Sequence, residues 1–80
     1  MKKVIVTGGL GFIGSNLIEL LIKKKFYVIN VDKGTYSSNK YNVKDFQNSN
    51  KYKFIKIDIN NKRLKDVFFK YKPVGIFNLA

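Results

Sequence analysis

The sequence predicts an α/β fold, the N-terminal half of a doubly wound parallel sheet with strand order 3-2-1-4. Three observations carry that prediction. A β-branched run, Val4-Ile5-Val6-Thr7, ends directly in a cluster of glycines. Strand-like runs recur at Phe26–Val31, Tyr52–Ile57 and Val74–Ala80. Between the first two strands, and again between the last two, the apolar residues fall at helical spacing. Strands that alternate with helical patterns read as βαβ units, and such units build parallel sheets.

In chain order, Val4–Thr7 has the composition of a buried strand. The first helix is expected from about Phe12 to Lys24. Its Ile13, Leu17, Leu20 and Leu21 lie at i, i+4, i+7 and i+8, the expected packing face, which Ile18 and Ile22 widen. Glu19 and Lys23 form an i, i+4 pair on the wet side. The second strand follows after a very short link and ends in Asp32. From Lys33 to Asn50 both periods lapse, and Gly34, Ser37, Ser38, Asn39, Asn42, Asn48, Ser49 and Asn50 mark a loop with a short helical piece at Val43–Gln47. Its aromatics, Tyr36, Tyr41 and Phe46, admit two readings: closing over a ligand, or covering the helix–sheet edge. Tyr52–Ile57 is the third strand, followed by Asp58-Ile59. Asn60 or Asn61 is expected to cap the second helix, whose stripe is Leu64, Val67, Phe68 and Tyr71. Pro73 stops that helix and Val74–Ala80 is the fourth strand.

The glycines at the first strand–helix junction have separable tasks. Gly8 can adopt backbone angles closed to residues with a Cβ. Gly11 lets a bulky anion approach the main chain, and Gly14 lets the helix sit close. The helix start offers free N–H groups and about half a positive charge, which suits a pyrophosphate. Gly9 and Gly14 also have the spacing of a nucleoside-triphosphate loop, but that loop needs Lys and then Ser or Thr next, where this chain has Ser15 and Asn16. The second strand decides between a dinucleotide site and a plain turn. Asp32 lies 18 residues beyond Gly14, at the position where the dinucleotide fingerprint places an acid on the ribose hydroxyls. A carboxylate there repels a 2′-phosphate and favours NAD over NADP, with Lys33 beside it working the other way. Asp58 and Ile59, at another strand's carboxyl end, are read either as flanking the adenine or as a turn.

Composition bounds the rest. Eighty residues make one small domain, about half the length of a six-stranded dinucleotide fold. The chain stops inside a strand-like run, so residues 1–80 are expected to be the N-terminal portion of a longer protein, the substrate domain lying beyond it. The alternative is a half-fold that leaves a sheet edge uncovered. The net charge of +11 comes from dispersed lysines, with only Lys23-Lys24-Lys25 as a run, and does not call for a specific nucleic-acid partner. With no cysteine and no histidine, disulfides, thiolate chemistry and Ser-His-Asp catalysis have no residues to use. The five acids, Glu19, Asp32, Asp45, Asp58 and Asp66, have no metal-ligand spacing. The uncharged span Val4–Ile18 is too short for a bilayer and lacks a signal-peptide cleavage pattern, so a cytoplasmic protein is expected.

Thr7-Gly8-Gly9-Leu10-Gly11-Phe12-Ile13-Gly14-Ser15 resembles the T-G-x-x-G-x-x-G signature of the extended short-chain dehydrogenase/reductases, the group of NAD-dependent nucleotide-sugar epimerases and dehydratases with a Rossmann fold. Val31-Asp32-Lys33-Gly34-Thr35-Tyr36-Ser37-Ser38-Asn39 is similar to the D-K-L-T-Y-A-G-N segment of the dTDP-glucose 4,6-dehydratases within it. Tyr52-Lys53-Phe54, Asp58-Ile59 and Lys72-Pro73 through Asn78-Leu79-Ala80 fit the same group. The resemblance implies that Phe12 and Ile13 present main chain to the pyrophosphate and that Asp32, Lys33, Gly34 and Thr35 line the adenosine ribose. It implies Asp58 and Ile59 at the adenine, and Leu79 and Ala80 at the cofactor's far half. Gly34 in place of Leu, Ser37-Ser38 in place of Ala-Gly, and Asn78 where His is common loosen the assignment to one sugar nucleotide. The implied reaction is a hydride cycle: NAD+ oxidises the sugar at C4, water leaves across C5–C6, and the hydride returns to C6. The full-length protein is implied to be a homodimer. The family's Tyr-x-x-x-Lys pair is expected downstream. Tyr36–Lys40 and Tyr52–Lys56 match the bare spacing, but one is in a loop and the other on a strand, so no catalytic residue is assigned here.

Overall fold

A computed structural model gives the architecture and describes residues 1–9, 11–34, 46 and 48–79. The elements are β1 (Lys3–Thr7), α1 (Phe12–Lys23), β2 (Tyr27–Asp32), β3 (Tyr52–Lys56), α2 (Leu64–Tyr71) and β4 (Gly75–Asn78). The strands form one sheet in the order β3-β2-β1-β4, and each neighbouring pair is parallel. Val4 stands opposite Val28 on one side and Gly75 on the other, and Val28 stands opposite Tyr52. The predicted order of strands is the observed one.

Side chains alternate across a strand, and the sheet uses both faces. Val4, Val6 and Val28 pack with Ile18 and Leu21 of α1 and with Phe46. Ile5, Ile29, Val31 and Ile57 pack with Val67 of α2, flanked by Leu64, Phe68 and Tyr71. β1 and β2 therefore read as nearly continuous apolar runs because helices cover them on both sides. The α2 stripe is the predicted one.

The packing face of α1 is the predicted one only in part: Leu17, Ile18, Leu21 and Ile22 lie on it, and Ile13 and Leu20 do not. Ile13 is 73% exposed and Leu20 49%, while Gly14, Ser15, Ile18 and Leu21 are buried. Seven of the twelve residues of this helix are apolar, so spacing alone leaves its rotation open. The tight seating of Gly14 settles it. Glu19 and Lys23 do pair, at 3.6 Å, on the solvent side. The helix stops with Lys25 in the left-handed region at φ 71°, Lys25 N–H bonding Ile22 O and Phe26 N–H bonding Leu21 O. That is a Schellman ending with lysine where glycine is usual. α2 ends at a left-handed Lys72, φ 47°, just before Pro73.

Three smaller expectations shift. β2 is displaced by one residue, running from Tyr27 to Asp32, and β3 and β4 are shorter than their apolar runs, ending at Lys56 and starting at Gly75. Asn61 accepts a hydrogen bond from Arg63 N–H at 2.8 Å and so caps the turn before α2, while the helix's own N-cap position, Arg63, has no side-chain cap bond. Phe46 is buried edge-on against Tyr52, ring centroids 4.9 Å apart, so it covers the helix–sheet edge. Tyr36, Tyr41, the Val43–Gln47 helical piece apart from Phe46, and the last residue of the fourth strand lie outside the described residues.

Candidate functional site

All four strands run the same way, so their carboxyl ends share one edge, the edge at which open α/β sheets bind ligands. Main-chain hydrogen bonds set the spacing along it. Gly8 N–H donates to Val31 O at 2.9 Å, which ties the glycine turn beside the tip of β2. Ile57 N–H donates to Asp32 O at 3.0 Å, bringing Asp58 alongside, and Leu79 N–H donates to Thr7 O at 3.0 Å on the other flank. The row of tips is therefore Asp58-Ile59, Asp32-Lys33-Gly34, Gly8, Leu79. With strands about 4.8 Å apart it spans roughly 15 Å.

At the centre, Gly8 has φ +76°, a conformation that L side chains rarely adopt. Gly11, the N-cap of α1, has extended angles, and among the described residues a Cβ there would meet Gly8 O alone, at 3.6 Å. Among those residues the space beside Gly11 is open. Gly14 is the opposite case. A Cβ on it would lie 2.6 Å from Gly8 O and 2.8 Å from Gly9 Cα, so the close approach is of the helix to the glycine turn itself. The first turn of α1 has no acidic residue and no side-chain cap. Ser15 N–H bonds Gly11 O at 2.9 Å, and the Ser15 hydroxyl turns back to Phe12 O. The main-chain N–H groups of Phe12 and Ile13 thus open the helix without intrahelical acceptors, beneath side chains that point to solvent.

Asp32 is 6% exposed, and its Oδ1 accepts Gly34 N–H at 2.9 Å, with Gly34 at φ +72°. The turn after β2 thus holds the carboxylate at the strand tip, next to the glycine turn. Lys33 is exposed. Asp58 is also exposed, and its Oδ1 accepts Asn60 N–H at 2.9 Å, so it begins a turn, one of its two readings. On the far flank the Thr7 hydroxyl donates to Asn78 Oδ1 at 2.7 Å. Thr35 and Ala80 lie outside the described residues, as does the Tyr36–Lys40 pair. Tyr52 and Lys56 both sit in β3, about 13 Å apart at strand rise, and cannot act as one acid–base pair.

One residue in this constellation carried no sequence signal. Asn30, wholly buried in β2, accepts Gly9 N–H on Oδ1 at 3.0 Å and donates from Nδ2 to the Tyr52 hydroxyl at 3.0 Å. A Cβ on Gly9 would collide with Asn30 and Ile18. Burial raises the Tyr52 phenol above its ordinary pKa near 10; the Asn30 hydrogen bond opposes this and the Asp32 charge adds to it. A groove of about 250 Å³ between β3 and α2, lined by Lys53, Arg63, Asp66 and Lys70 among others, is on the α2 side of the sheet and includes none of these residues.

The arrangement offers an uncapped helix start behind a glycine-rich turn, with a carboxylate one strand away. A family model described as GDP-mannose 4,6 dehydratase matches residues 5–80. The chain belongs to that family. It is 40% identical, over its whole length, to a dTDP-glucose 4,6-dehydratase of Haemophilus influenzae, of which it covers 24%. Among solved structures it superimposes with TM-score 0.91 on a Bacillus anthracis dTDP-glucose 4,6-dehydratase in complex with NAD, at 37% identity, covering all of this chain and 27% of that one. An epimerase of Methanothermobacter thermautotrophicus gives TM-score 0.83 at 38% identity, over 99% of this chain and 22% of that one. The chain spans about a quarter of the length of the relatives it matches. The family resemblance read from the glycine signature and the fold class are both borne out. Among the described residues no helix is long and apolar enough to cross a membrane.

Proposed function

We propose that residues 1–80 are the NAD-binding portion of a nucleotide-sugar 4,6-dehydratase of the dTDP-glucose type, a lyase whose acid–base pair and substrate domain belong to a longer protein. The observation that carries the reading is the Gly8 N–H to Val31 O bond, which sets the glycine-rich turn against the strand tip that bears Asp32. In this reading Phe12 and Ile13 N–H donate to the pyrophosphate, Gly8 shapes the turn, Gly11 gives the anion room, and Gly14 seats the helix against the turn. The Asp32 carboxylate accepts from the adenosine ribose hydroxyls, with Lys33, Gly34 and Thr35 around it. Asp58 and Ile59 flank the adenine; Leu79 and Ala80 lie toward the nicotinamide half. NAD+, when bound, supplies a hydride acceptor that later returns the hydride. What this chain's own residues do is bind, orient and hold charge; they move no proton in the reaction.

The nucleotide-sugar substrate and a homodimeric state are part of the same proposal and rest on the family resemblance; a cytoplasmic setting belongs to it too and rests on the sequence pattern of Val4–Ile18. The epimerase at 38% identity supports a second reading, a 4-epimerase of the same family. Assaying the full-length protein with dTDP-glucose separates the two by whether a 4-keto-6-deoxy product forms. Asp32→Ala tests the cofactor role: NAD+ affinity is expected to fall at least tenfold and NADP+ affinity to change little. An unchanged preference for NAD+ would overturn the assignment.

A further inference from the structure

Asn30 is a wholly buried polar side chain in an otherwise apolar stretch of β2, and the cofactor reading gives it no task. It lies on the α1 face of the sheet, two residues before Asp32. Its orientation is unambiguous. The Gly9 main-chain N–H can only donate, so the atom 3.0 Å away must be the amide oxygen, and the nitrogen must face Tyr52. Among the described residues no buried side-chain nitrogen or oxygen lacks a partner. Both ends of the amide are therefore spent on holding other groups.

We propose that Asn30 is a positioning residue for the pyrophosphate: it clasps the glycine turn to the sheet through Gly9 and is itself held by the Tyr52 hydroxyl, so the turn keeps its binding shape before a ligand arrives. This rests on the cofactor reading above and adds to it a residue that does not touch the ligand. Gly9 has no side chain of its own to anchor it, and it cannot gain one, because a Cβ would run into Asn30 and Ile18. The acceptor must come from outside the turn. Gly8 is held by Val31 O and Gly9 by Asn30 Oδ1, so both anchors come from β2, the strand that ends in Asp32. One strand therefore fixes the pyrophosphate turn and the ribose carboxylate relative to each other. Tyr52, pressed edge-on against the buried Phe46, carries the support on to β3.

The test compares the wild-type chain with Asn30→Leu, close in size but without hydrogen bonds, and with Tyr52→Phe. Amide exchange followed by NMR reads the clasp without any ligand. The Gly9 amide is expected to lose protection by at least tenfold in Asn30→Leu and by less in Tyr52→Phe, while Ile5 and Ile29 stay protected. Titrations with ADP and with adenosine then read the positioning role. The ratio of ADP to adenosine affinity is expected to fall about tenfold in Asn30→Leu, a change that general loosening of the fold would not produce, since it weakens both ligands alike. Unchanged Gly9 protection overturns the clasp. Lost protection with an unchanged ratio overturns the positioning role. If Asn30→Leu fails to fold, Tyr52→Phe carries both readings by the same criteria. A wild-type chain that takes up neither NAD+ nor ADP overturns the cofactor reading and the ligand role of Asn30 together, and the exchange data still report the clasp on their own.

Discussion

Gly14→Ala sets two known effects against each other at one atom. In a helix interior, alanine is about 1 kcal/mol better than glycine. Here the new Cβ would lie 2.6 Å from Gly8 O and 2.8 Å from Gly9 Cα, where ordinary contact begins at 3.4 Å. Both neighbours are main chain, and both are tethered, Gly8 to Val31 and Gly9 to Asn30. The turn must therefore retreat by about 0.8 Å against those bonds, or α1 must lift from the sheet. Overpacking of this kind costs typically 1–3 kcal/mol. Set against the helix gain, the net loss of stability is about 0–2 kcal/mol, small beside the roughly 4–12 kcal/mol expected of an 80-residue domain. Ligand binding has no such compensation. A displaced turn loses at least one hydrogen bond to a charged phosphate, worth about 1.5–3 kcal/mol, or roughly 10- to 100-fold in Kd. Urea unfolding and calorimetric NAD+ titration of the same samples read the two quantities. A variant that is about 1 kcal/mol more stable, with unchanged affinity, would refute the close-approach argument.

Gly11→Val should leave stability within about 1 kcal/mol, since the space beside Gly11 is open among the described residues and strand-like angles suit valine, yet weaken NAD+ at least tenfold; equal affinity by calorimetry would mean the anion sits elsewhere. Lys25→Gly relieves a left-handed residue at φ 71° in the turn after α1 and should raise urea stability by about 1 kcal/mol without changing NAD+ affinity. The Tyr52 phenol is held above its ordinary pKa in the folded chain, so the folded state keeps the proton longer than the unfolded one. Its contribution to stability is full below pH about 10 and declines as pH rises beyond that; Tyr52→Phe should flatten this alkaline loss in urea titrations, and an identical profile would argue against the buried hydroxyl.

The features legible in the sequence were those for which one local pattern has one structural solution. A β-branched run ending in glycines, then a helical period, then a second strand ending in an acid leaves a parallel strand–helix–strand unit as the economical arrangement, and the sheet order follows from the crossover's handedness. Gly8 was legible because a left-handed turn position selects glycine. The rotation of α1 was not, because Phe12, Ile13, Leu17, Ile18, Leu20, Leu21 and Ile22 satisfy two overlapping stripes. A glycine with no hydrophobicity to contribute, Gly14, chose between them through contact. Asn30 was illegible for a related reason. A single polar residue in a strand reads as a solvent-facing position, and only the fold brings Gly9 and Tyr52 to its two ends. Phe46 could be assigned only once its ring was seen against Tyr52.

Burial is distributed unevenly in a way that favours binding. β1 and β2 are buried almost throughout, whereas every residue of β3 and β4 is half-buried or exposed, and Val74, Ile76, Phe77 and Leu79 all show apolar surface. Local opening is rarest where apolar contact is densest. The candidate site is assembled from the tips of the two most buried strands, with Gly8 and Gly9 bonded to β2 and Asp32 at its end. Glycines would ordinarily be the most mobile residues of such a turn, since each has the most conformational freedom to lose. Gly8 and Gly9, bonded to Val31 and Asn30 of β2, are held against that freedom. The entropy of ordering the turn is then met on folding rather than on binding, which leaves more of each phosphate hydrogen bond to appear as affinity.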